Sequence, residues 1–152
     1  MGWALKNDPI PDVDHVARYC GGATLDNGQV SGASFKLRPM KDGNKEEYLS
    51  VNWLELLGKE SRREEIGEVQ RLLATKMTPG STAKLAVLRV GDVKDYVSQS
   101  ASDRRILRIL HRPDEPPGQP DPSHSGIFDT DADEDSIAEL IAERVLETYA
   151  AK

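Results

Sequence analysis

The stretch Lys84-Leu85-Ala86-Val87-Leu88-Arg89-Val90 decides the fold. Its apolar residues run almost without a break, so neither side of it is left for water. A short, β-rich run of this kind reads as a central strand covered on both faces. Such a strand needs partners along its edges and layers above and below, and the flanking sequence supplies them.

Upstream, Ser61 to Met77 has the periodicity of a helix. Ser61 and Glu64 stand in capping-box spacing, Ile66, Val69, Leu72 and Leu73 form one apolar face, and Thr78-Pro79-Gly80 is a stop signal. Ala33 to Arg38 and Glu46 to Trp53 each alternate apolar with polar. With Pro39 and Asp42-Gly43 between them, they predict a β-hairpin. Farther back, Val13, Val16, Ala17 and Cys20 are spaced i, i+3, i+4 and i+7. That spacing predicts a short helix capped by Asp12 and ended by Gly21-Gly22, with His15, Arg18 and Tyr19 on a separate face.

Downstream, Asp92 to Ser98 reads as a short helix or turn, and Arg104 to His111 as a strand with Leu107, Ile109 and His111 on one side. Pro113, Pro116, Pro117, Pro120 and Pro122 then crowd into ten residues, a density that feeds neither a sheet ladder nor a helix. Residues 113–128 are therefore expected to form a long Pro-rich loop. A second capping box, Ser136 with Glu139, opens a C-terminal helix expected over 134–152, whose apolar face is Ile137, Leu140, Ile141, Val145 and Tyr149. The expected architecture is a single α+β domain over residues 1–152. It has a small, mainly antiparallel sheet of about four strands backed by helices, with the Pro-rich loop preceding an acidic C-terminal helix.

The net charge of −6 is unevenly placed. Residues 1–128 hold 18 basic and 18 acidic side chains, whereas residues 129–152 hold two basic and eight acidic ones. A neutral body lacks the basic surface that general nucleic-acid binding requires, so nucleic acid is not the expected partner. Cys20 is the single cysteine, which excludes an internal disulfide and any zinc site built on paired cysteines. No apolar run has the length of a membrane span, and Met1 to Lys6 lacks a signal-peptide core, with Lys6 where a myristoylation motif wants Ser or Thr. A cytoplasmic protein without membrane attachment is the expectation.

The candidate catalytic residues are His15, Arg18, His111, Asp121, Ser123 and His124. Imidazoles with a carboxylate suit metal or general-base chemistry, and a serine beside a histidine suits nucleophilic attack. Their spacing matches neither HExxH nor GxSxG. The plainer readings are a buried, hydrogen-bonded His111, ordinary turn chemistry at Asp121-Pro122-Ser123 and a solvated helix face for His15 with Arg18, whereas His124, expected at the tip of the loop, stands in a polar turn where sites tend to sit. Asp129, Asp131 and Asp133 open like a calcium loop, but Glu134 stands where that loop needs glycine and Leu140 where it needs glutamate. No metal and no cofactor is expected, since no glycine-rich phosphate loop follows a strand.

The reading carried forward is a small binding or accessory module that acts through a protein partner, using the Pro-rich loop and the acidic C-terminal helix. One alternative is a small His-dependent hydrolase or nuclease-like enzyme, with or without a metal. The other is phosphate or RNA binding along Arg104, Arg105, Arg108 and Arg112.

Overall fold

Lys84–Arg89 is indeed a strand with both faces covered. Leu85, Ala86, Val87 and Leu88 are completely buried. The computed structural model describes residues 5–113 and 121–152. Among these, the elements in chain order are β1 (His15–Cys20), β2 (Leu25–Asp26), β3 (Gln29–Val30), β4 (Leu49–Trp53), α1 (Arg62–Ala74), β5 (Lys84–Arg89), α2 (Val90–Ser100), β6 (Arg108–His111), β7 (His124–Phe128), α3 (Glu134–Ala142) and β8 (Glu147–Ala150). Six strands join in one sheet of order β6-β7-β4-β1-β5-β8, and every neighbouring pair is antiparallel. The α+β class holds, with a sheet larger than the four strands expected.

The pleat of β5 divides the core. Leu85 and Val87 pack with Ile66, Val69 and Leu73 of α1, while Ala86 and Leu88 pack with Val93 and Val97 of α2 and Ile137 and Ile141 of α3. The sheet is thus sandwiched, α1 on one face and α2 with α3 on the other. Ser61 caps α1 as the sequence predicts, its hydroxyl accepting from the Glu64 amide at 3.2 Å. Helix α2 begins directly where β5 ends. Its first amides donate to the carbonyls of Asp14 (2.9 Å, from Val90) and Asp12 (2.8 Å, from Gly91). A side chain at Gly91 would stand 3.0 Å from that Asp12 carbonyl, which is why this position takes glycine.

Four expectations are overturned. The first concerns 12–20: His15–Cys20 is strand β1, held between β4 and β5. Buried from both sides, it shows no polar face, and its apolar residues happen to fall at helical spacing. Arg18 consequently lies with Val16 and Cys20 on one face, and His15 with Ala17 and Tyr19 on the other. Asp12 caps through its carbonyl, and the helix it caps is α2.

The second concerns 33–38. Gly32–Phe35 is a 3-10 turn, and Phe35 and Leu37 enter the core from it. The Leu37 amide donates to the Glu134 carboxylate at 3.0 Å, so a contact with the start of α3 replaces the ladder a hairpin would have made. Only an isolated Pro39–Lys45 bridge remains of the predicted pairing.

The third is the loop over 113–128. Pro116, Pro117 and Pro120 lie outside the described residues, but His124–Phe128 is strand β7, with all five residues buried between β4 and β6. The fourth is the terminal helix. Helix α3 stops at Ala142, the Leu146 amide donates to the Val87 carbonyl at 2.9 Å, and β8 completes the free edge of β5. Backbone groups along that edge gain partners that a longer helix would have left without them.

Because β8 and the buried Ala151 close this side of the sheet, removal of residues 147–152 is expected to cost roughly 2 kcal/mol or more, ~5 °C in melting temperature. Urea and thermal unfolding of the truncated chain measure this. An unchanged curve would show that β8 adds nothing to the fold.

Candidate functional site

The six candidate residues do not meet in one place. His111 and His124 sit on neighbouring strands but opposite faces, since His111 pairs across with Ser125. His111 Nε2 lies 2.6 Å from the Pro122 carbonyl, which can only accept, so Nε2 carries the proton. The ring stands edge-on to Trp53, with centroids 5.3 Å apart, and its Nδ1 is buried without a partner among the described residues. His124 Nδ1 bonds the Arg112 carbonyl at 2.9 Å and its ring meets Tyr48. It is a buried strand residue, not a loop tip. His15 pairs with Glu55, Nδ1 to Oε2 at 2.6 Å, and its backbone amide donates to the other oxygen of the same carboxylate.

Asp121 and Ser123 do come together, in company the sequence did not announce. Ser123 donates its hydroxyl to Asp121 Oδ1 at 2.7 Å and its amide to the same oxygen at 3.1 Å. Asn52 donates to Asp121 Oδ2 at 2.9 Å and to the Ser123 hydroxyl at 2.8 Å, and Lys76 Nζ reaches Asp121 Oδ2 at 2.8 Å. Burial pushes the Asp121 carboxyl up, but the bonds from Lys76, Ser123 and Asn52 and the Lys76 charge overcome it and hold the carboxyl below its ordinary range. The Ser123 hydroxyl is thereby committed to a carboxylate as donor and to the Asn52 amide as acceptor. The cluster ties the residues after α1 to β4 and to the entry of β7. The sequence singled out Asp121 and Ser123 but neither Asn52, which falls on the polar side of an alternating strand, nor Lys76, which lies 45 positions from its partner.

The acidic segment resolves into two features. Residues 129–132 wrap Arg105, whose guanidinium donates to the carbonyls of Asp129 (2.9 Å), Asp131 and Ala132 (2.5 Å), while Asp103 accepts from its other edge at 2.9 Å. Ala132 has a left-handed φ of 54°, a strained setting for alanine that these bonds support. The resemblance to a calcium loop is thus met by a built-in cation. Among the described residues no three His, Cys, Asp or Glu side chains are grouped to hold a metal. Arg108 pairs with Asp129 at 2.7 Å and Arg112 with the Asn7 side chain at 2.8 Å, so much of the arginine stripe is engaged internally.

The second feature is a groove of about 480 Å³ between the end of α2 and the start of α3. Ala101, Ile137 and Leu140 give it an apolar floor, and Asp133, Asp135 and Glu139 its charge. Asp135 is paired with Lys36 at 2.9 Å, whereas Asp133 and Glu139 have no ion pair among the described residues. In comparisons with known proteins, no family model, curated protein or solved structure matches the chain. No described helix is long and apolar enough to cross a membrane.

The Asp121 shift has a definite sign. Its folded-state value is depressed, so its contribution is fully present above the ordinary 3.8 and is lost as pH falls through the lower folded value. Asp121→Asn is expected to cost about 2–3 kcal/mol at pH 7, because a buried charge-assisted network loses its acceptor. The difference from the unsubstituted chain should shrink at pH 3, which urea unfolding at the two pH values measures. An equal cost at both would assign the effect to packing alone.

Proposed function

We propose that this chain is a binding module that docks a basic segment of a protein partner in the groove between α2 and α3. The observation that carries the reading is the pairing of an apolar floor with two carboxylates, Asp133 and Glu139, that form no direct ion pair among the described residues. Apolar area at the centre supplies affinity, and a charged rim selects the sign of the partner. The charge pattern of the chain fits this, since residues 129–152 hold eight acidic and two basic side chains beside a neutral body. Several of those acids have internal tasks. Glu134 bonds the Leu37 amide and Lys45, Glu143 bonds Tyr96, and Glu147 bonds Arg62. Asp133 and Glu139, beside the groove, are left for a ligand.

A peptide alternating lysine and leucine is the probe. In a heteronuclear NMR titration it is expected to perturb Ala101, Ile137 and Leu140, with affinity falling at least severalfold as salt rises from low to physiological levels. Asp133→Lys combined with Glu139→Lys should abolish the perturbation while the chain stays folded, since both side chains are exposed, and a circular-dichroism melt checks that it does. Shifts that map elsewhere, or survive the double reversal, would overturn the reading.

A further inference from the structure

Arg18 is a charge held almost wholly out of water. It projects from β1 on the face of Val16 and Cys20, and only 4% of it reaches solvent. Its guanidinium donates through Nε to the Ser34 carbonyl at 2.9 Å and through Nη1 to the Ser50 carbonyl at 3.0 Å. These bonds fix the plane of the group, yet they use two of its five N–H donors and neutralise none of its charge. It has no ion pair among the described residues. Burial, and next the charge of Arg38, bring its pKa down to about 10, so at neutral pH it remains a cation. The charge of Glu46 offsets only part of the cost of burying that cation, and the fold carries the rest.

Arg18 lines a cavity of about 250 Å³ together with Gly21, Thr24, Ser34, Lys36 and Arg38, and no acidic side chain lines it. The two outer cations lean on carboxylates that do not line the cavity, Lys36 on Asp135 at 2.9 Å and Arg38 on Glu46 at 3.6 Å. Lys36 and Arg38 are substantially exposed in these pairs, and pairs of that kind exchange readily for a better anion.

We propose that this cavity is a phosphoryl-binding site, taking the dianionic group of inorganic phosphate or of a phosphate monoester. Arg18 is its buried anchor, and Lys36 and Arg38 close on the outer oxygens. Three cationic residues line one cavity, more than the single charge of a carboxylate calls for. A guanidinium held in plane by two carbonyls presents its remaining N–H groups as a preset fork for oxyanion oxygens. The size selects the ligand too: ligand pockets for drug-sized molecules run from about 300 to 1,000 Å³. This cavity has room for a head group, with the remainder of an ester left outside. The cavity shares no lining residue with the partner groove, although Lys36 pairs with Asp135 of that groove; phosphate binding is read by calorimetry and peptide binding by NMR perturbation, so either can fail alone.

Calorimetric titration with inorganic phosphate, O-phosphoserine and acetate at matched ionic strength tests the assignment. Phosphate is expected to bind saturably and raise the melting temperature, with acetate at least tenfold weaker. Affinity should fall as the pH drops below about 6, where a phosphoryl group loses its second charge. Arg38→Ala, at an exposed position, should weaken phosphate binding severalfold with the melting temperature of the free protein unchanged. Arg18→Met should abolish binding while leaving the chain folded, because it removes a buried charge and keeps the length of the side chain. If Arg18→Met fails to fold, the Arg38→Ala titration decides alone. Binding of phosphate and phosphoserine together assigns the site to monoesters, and binding of phosphate alone to the free ion; both support the proposal. Equal binding of acetate, no saturable binding, or phosphate binding indifferent to Arg38→Ala would overturn it.

Discussion

A strand with both faces buried has no water for its backbone, and that constraint organises the molecule. The amides and carbonyls of β5 must be paired along both edges. β1 takes one edge over six residue pairs and β8 the other over four. β1 in turn lies between β5 and β4, which draws β7 and β6 in beyond it. The outer side of β6 is met by residues 7–10, whose amides and carbonyls bond Ile109 and His111. The helices follow from the same demand, since each face of β5 presents its own apolar row.

This explains which parts of the sequence could be read. Periodicity worked where an element has one wet side. α1, with Ser61 as cap and polar residues outward, stands close to where its pattern placed it. The alternation of Leu107, Ile109 and His111 also survives as a buried row leading into and along β6. It failed at β1 and β7, where burial on both sides erases the contrast between faces. It failed again at the end of α3, because the need of β5 for a partner is a tertiary fact. Val145 and Tyr149 continue the helical spacing of Ile137 and Ile141, yet the chain turns away to fill the edge.

The candidate sites were legible only as residue types. Asp121 and Ser123 were singled out for chemistry, and the structure joins them, but to Asn52 and Lys76 rather than to a histidine. Arg18 was placed on a solvated helix face; as a strand residue it turns inward with Val16 and Cys20. The same change of element separates it from His15. Arginine does much of the internal bonding to carbonyls: Arg105 to those of residues 129–132, Arg18 to those of Ser34 and Ser50. A guanidinium offers several donors from one planar group, so one side chain can gather carbonyls that no strand or helix pairs.

The strand order carries a kinetic consequence. Within β6-β7-β4-β1-β5-β8, only β6 and β7 are consecutive in the chain. β1 meets β5 across a separation such as that of Val16 and Leu88, and β4 meets β7 across that of Val51 and Ser125. Each ladder closes a long loop before any hydrogen bond of the pair can form. A topology dominated by such distant pairings folds slowly for its size, because chain entropy is surrendered early and compensated late. α1 and α2, whose contacts are local, can form ahead of the sheet. They would then wait beside a half-built surface, with the edges of β5 open to other chains in the interval.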